Sequence, residues 1–65
     1  MIQLQSLKKN EMVTITFQNG VIYPAQFLTL MKDPNGARFL VEGRQVSVLS
    51  AEVLAGWTQI ARIIP

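Results

Sequence analysis

Residues Met12 to Gln18 alternate strictly, with Val13, Ile15 and Phe17 on one parity and Thr14, Thr16 and Gln18 on the other. Successive side chains of a strand point to opposite faces, so this pattern predicts a half-buried β-strand. Asn19-Gly20 follows at once. That dipeptide is the strongest short hairpin signal, because a type I′ turn needs positive φ at both central positions. The chain is thereby committed early to antiparallel pairing.

Beyond the turn, Val21 to Lys32 is long for a strand and apolar on both sides. Val21, Tyr23, Ala25, Phe27 and Met31 are expected on one side, and Ile22, Leu28 and Leu30 on the other. Pro24 cannot donate to a ladder, so it belongs at an edge, a bulge or a strand start. A helix over Ala25 to Lys32 is the competing reading, and Thr29 and the flanking strands weigh against it. Asp33-Pro34-Asn35-Gly36 predicts a turn, with proline fixing φ at the second position. Ala37 to Glu42 reads as a third strand, with Phe39 and Val41 opposite Arg38 and Leu40. After a turn at Glu42-Gly43-Arg44, Gln45 to Leu49 reads as a fourth, with Val46 and Val48 inward. Ser50 is the expected helix N-cap, helped by Glu52, and Gly56 the stop. One or two turns, 3₁₀ or α, fit between them. Trp57 to Ile64 completes the set as a fifth strand.

Four strands, a short helical turn and a fifth strand resemble the SH3-like small β-barrel superfold, which includes Tudor and KOW-type modules. The resemblance spans roughly residues 7 to 64. It rests on Leu7-Lys8-Lys9-Asn10-Glu11-Met12-Val13, similar to a barrel opening with a basic turn, and on the Ser50–Gly56 turn. The expected fold is therefore all-β, a five-stranded SH3-like small barrel with one short 3₁₀/α turn before the last strand. The resemblance concerns architecture, and no functional motif comes with it. An Sm-like ring is the related alternative. It normally opens on an N-terminal helix, for which Met1 to Ser6 is too short and too β-like.

Sixty-five residues allow one domain, and small domains often need a disulfide, a metal or a partner. The chain has no Cys and no His, so disulfides and the usual zinc ligands are absent and no cofactor is expected. With 49% hydrophobic residues, 15% charged and mean hydropathy +0.27, it has more apolar surface than a small interior hides. Self-association, or docking on another protein, is the leading expectation. Its candidate residues are Ile22, Leu28 and Leu30 opposite Phe27, and Ile60 and Ile64 opposite Trp57 and Ile63. A small regulator or inhibitor is a role that suits such a module.

Catalysis needs groups of suitable pKa in mutual reach. The carboxylates Glu11, Asp33, Glu42 and Glu52 each have a plain structural reading: a surface pair with Lys9, a turn, a solvated strand end and a helix start. Ser6, Ser47 and Ser50 have no base to activate them. The expectation is a protein that is not an enzyme, with a pore shared by symmetric copies as the one exception. Nucleic-acid binding is the alternative. Lys8, Lys9, Arg38, Arg44 and Arg62 are candidate phosphate contacts, and Tyr23 is the expected exposed aromatic, with Phe39 and Trp57 assigned to packing. The net charge of +2 is weak for that role. A second alternative is an oligomer whose pocket of Arg38, Arg44 and Tyr23 takes a phosphate-bearing small ligand. No apolar run approaches the ~20 residues of a transmembrane helix, and no secretory leader is apparent. Together with the lack of Cys, this predicts a cytoplasmic protein with no membrane or metal partner.

Overall fold

The computed structural model describes residues 3–63. Five antiparallel strands form one sheet: β1 (Met12–Thr16), β2 (Ile22–Met31), β3 (Gly36–Val41), β4 (Arg44–Leu49) and β5 (Gln59–Arg62). Their order across the sheet is β4-β3-β2-β1-β5, so β4 and β5 are its edges. Helix α1 (Ser50–Leu54) connects those two edges, and a 3₁₀ turn at Leu4–Ser6 precedes β1. No helix among the described residues is long and apolar enough to cross a membrane.

The inner face is the one the alternation predicts. Val13 and Ile15 of β1, Ala25 and Phe27 of β2, Ala37, Phe39 and Val41 of β3, and Val48 of β4 are buried together. Phe27 and Phe39 meet edge to face at 5.7 Å across the β2–β3 ladder. Ile60 of β5, Leu4 and Leu7 from the N-terminal segment and Val53 of α1 complete this core. A fully buried side chain such as Phe39 contributes roughly 1.5–3 kcal/mol by removal from water.

The type I′ turn expected at Asn19-Gly20 does not form there. At Asn19-Gly20 only Gly20 has positive φ (+79°). Its N–H donates to the Phe17 carbonyl at 2.9 Å, and the Phe17 N–H donates to Val21 at 3.4 Å. The loop therefore holds three residues and ends on a left-handed glycine, the next commonest hairpin solution. The Asn19 side chain accepts from the Val21 N–H at 2.9 Å, which ties the loop down. The type I′ turn lies instead at Glu42-Gly43, with φ of +51° and +77°, closed by the Val41–Arg44 pair.

β2 carries a bulge. Phe27 pairs with Phe39 but Thr29 pairs with Arg38, so Leu28 is the extra residue. An inserted residue reverses the alternation beyond it. Leu30 consequently pairs with buried Ala37 and joins the inner side, while Met31 pairs with Gly36 on the other. That corrects the expected grouping of Leu30 with Ile22 and of Met31 with Phe27. Pro24 sits in the middle of β2, paired with Thr14. The Phe27 N–H donates to Glu11 on the β1 side. By alternation the Pro24 nitrogen faces the β3 side, where the ladder starts only at Gln26. Its missing donor costs no ladder bond.

Gly36 opens β3 instead of closing the preceding turn. A Cβ there would run into the carbonyl oxygen of Val48 and stand 3.0 Å from the Leu49 Cα. The glycine is required by strand proximity. At α1 the expected cap moves by one residue: Leu49 is the N-cap and Ser50 is already helical. The Glu52 carboxylate accepts from the Leu49 N–H at 2.9 Å, which gives Glu52 its role. Gly56 (φ +80°) ends the helix as expected. Its N–H donates to Val53, and that of Trp57 to Glu52, the paired bonds of a Schellman motif.

Candidate binding surface

The outer face of the sheet divides by composition. In the β5-β1-β2 half, the register places Gln59, Thr16 and Ile22 in one row, and Ala61, Thr14 and Pro24 in the next. Met12 and Gln26 follow. None of these eight side chains is charged. Ile22 is 64% exposed and Met12 48%, and Ile63, just past β5, is 48% exposed. In the β3-β4 half, Arg38, Leu40, Gln45 and Ser47 occupy the same side, with Arg38 the charge nearest the uncharged half.

The residues expected at an apolar interface do not form one patch. Ile22 lies on the outer face. Leu28, half-buried, and Leu30, exposed, line a concavity with Leu7, Lys9, Phe27 and Thr29 at the other end of β2. Eight residues of strand, about 26 Å, separate Ile22 from Leu30. Ile60 is a correction. It pairs with Ile15, belongs to the core and is 7% exposed. The β1–β5 register, which the irregular pattern of β5 does not reveal, turns it inward. Ile64 lies outside the described residues.

The expected phosphate contacts are also dispersed. Lys8, Lys9 and Arg62 line one concavity of about 590 Å³ with Asn10 and Glu11. Arg62 is committed there. Its Nε donates to Glu11 at 2.8 Å, and its Nη2 donates to the Ser6 carbonyl at 2.7 Å and to the Ser6 hydroxyl at 3.2 Å. Glu11 thus pairs with Arg62 and not with Lys9. The Glu11 carboxylate also accepts from the Lys8 N–H at 3.0 Å. That bond above all holds its pKa below the ordinary value of 4.5; desolvation, next in size, opposes it, and Arg62 adds to the lowering. Arg38 and Arg44 are exposed, but Arg38 shares a side with Ser47 and Arg44 with inward Val41, so the register sends them to opposite faces. Within one chain they do not make a shared pocket with Tyr23.

Phe39 is buried as expected, but the assignments of Tyr23 and Trp57 reverse. Tyr23 is half-buried and packs edge to face on Phe17 at 5.7 Å. Its parity with Ala25 and Phe27 already pointed inward. Trp57, expected to pack, is 57% exposed. It lines a concavity of about 270 Å³ with Thr16, Phe17, Gln18, Gly56 and Gln59. Among the described residues no group of three potential metal ligands comes together. Comparison with known protein families, curated proteins and solved structures returned no match.

Proposed function

We propose that this chain is a non-catalytic interaction module, an SH3-like small barrel that self-associates through the outer face of its β5-β1-β2 half. The observation that carries this reading is the run of eight paired, uncharged outer side chains, exposed Ile22 and Met12 among them, with exposed Ile63 just past β5. Half of the eight are Thr or Gln, so the face is uncharged and not apolar throughout, and its exposed Ile22 and Met12 are the side chains that gain most from being covered. A second copy is the occupant because a face without charge meets itself without repulsion, and isologous pairing is the commonest assembly. The small core, with no disulfide available, favours the same outcome.

Light scattering on the purified chain at about 100 µM (on the order of −5 kcal/mol of association free energy suffices there) is expected to give a dimer or larger. Ile22→Glu, which places a carboxylate at the most exposed apolar position of the face, is expected to give a monomer of unchanged circular dichroism. A monomeric parent, or an Ile22→Glu chain that stays associated, overturns the proposal.

A further inference from the structure

The concavity at the hairpin end of the sheet has a chemistry unlike the rest of the surface. Trp57 lines it, its backbone held by the Trp57 N–H to Glu52 bond that ends α1. Thr16 and Gln59 form a cross-strand pair on the outer face, and Gln18 belongs to the hairpin loop. Phe17 is held by its edge contact with Tyr23. None of the six lining residues is charged. The site thus offers one exposed aromatic side chain, two amides that each donate and accept, and one hydroxyl.

We propose that this concavity binds the apolar face of a single neutral sugar ring. A pyranose presents C–H groups on one face and a rim of hydroxyls that both donate and accept. Trp57 matches the first, and Gln18, Gln59 and Thr16 match the second. A phosphate-bearing ligand finds no cation among the lining residues. A wholly apolar side chain leaves both amides without partners from the ligand. An extended proline-rich segment docks on grooves lined by several aromatics. Here Phe17 and Tyr23 are half-buried and Trp57 alone stands clear. The volume of about 270 Å³ falls just below the ~300–1,000 Å³ of drug-sized sites, which limits the ligand to about one ring.

The chain contains a single tryptophan, so its fluorescence reports on this site directly. Titration with neutral pyranosides (methyl glucoside, methyl galactoside, methyl mannoside and N-acetylglucosamine) is expected to shift Trp57 emission for at least one of them. The dissociation constant should be on the order of millimolar, as suits one ring. The side-chain amide resonances of Gln18 and Gln59 are expected to move in parallel. Gln59→Ala should weaken binding about tenfold and Trp57→Ala should abolish the amide shifts, with the circular dichroism of both unchanged. Thr16 and Gln59 also belong to the face proposed for self-association, so Ile22→Glu, which leaves that face uncovered, should bind the sugar at least as tightly as the parent. Emission and amide shifts absent for every sugar up to about 50 mM (well above a millimolar constant) overturn the proposal. So does a response to a proline-rich peptide or to inorganic phosphate with the sugars silent, or binding that survives Trp57→Ala.

Discussion

Ile60 and Ile22 are the same residue type on strands that flank β1, one on each side. Ile60 faces Ile15 and is almost wholly buried, whereas Ile22 faces Thr16 and is mostly exposed. Hydropathy does not separate them, and both were expected at a surface. What separates them is the partner that each meets on β1. A strand with a clean alternation transfers its two faces to its neighbours through the register, and a strand without one receives them. Val13 and Ile15 define the interior, and the apolar residues that pair with them, Ala25 and Ile60, are drawn inside, whereas Arg62 opposite Val13 keeps its charge in solvent.

That contrast is broken most forcefully by putting the same charge on each face. Ile60→Glu buries a carboxylate beside Ile15, where it has no partner. The expected loss is on the order of 4 kcal/mol or more. A chain of this length holds only about 3–10 kcal/mol in all, so urea denaturation should find it largely unfolded. Ile22→Glu, by comparison, should move the stability of the monomer by no more than about 0.5 kcal/mol. Equal effects at the two positions would mean that the two faces are not distinct.

A second test removes side-chain polarity from the comparison. Gly36→Ala adds one methyl group against the Val48 carbonyl, at a ladder position where backbone proximity decides. The expected cost is about 2 kcal/mol, by analogy with overpacking, and thermal melting reads it. A neutral result would show that β3 and β4 separate easily there.

The smallest effect comes from the charged end of the molecule. Glu11 has a lowered pKa in the folded chain, so its contribution is present above the unfolded value near 4.5. It is lost as the pH falls through the lower folded value. Glu11→Gln should therefore flatten the stability profile below about pH 4.5 and change its shape little at neutrality, as denaturation at stepped pH will show. An unchanged acid limb would detach Glu11 from it.

Where the sequence alternated or carried a glycine or proline, the elements could be read. All five strands, the helix stop at Gly56 and the inward placement of Phe39 and Val48 followed from parity and turn chemistry. The hairpin types did not, because Asn-Gly permits positive φ without setting the number of loop residues. Closure of β1 on β2 took a third residue, whereas the Val41–Arg44 pair left room for two and forced Glu42 into the left-handed region. The bulge at Leu28 was silent for a related reason: one inserted residue in an apolar run leaves no break in composition. It misplaced Leu30 and Met31 at a stroke. The surface was read least well. Tyr23 could have been turned inward from its parity with Phe27. The exposure of Trp57 depends on where the helix-ending motif releases the chain, and no local pattern encodes that.

The Arg62 clamp has a consequence under force. Val13, near the start of β1, pairs with Arg62, at the end of β5. Tension applied through residues 3 and 63 therefore pulls on the same end of an antiparallel ladder and opens its bonds one after another, like a zipper. The contacts of Arg62 with Ser6 and Glu11 stand at the fork of that zipper. They are the first to carry the load, and β5 peels away once they yield.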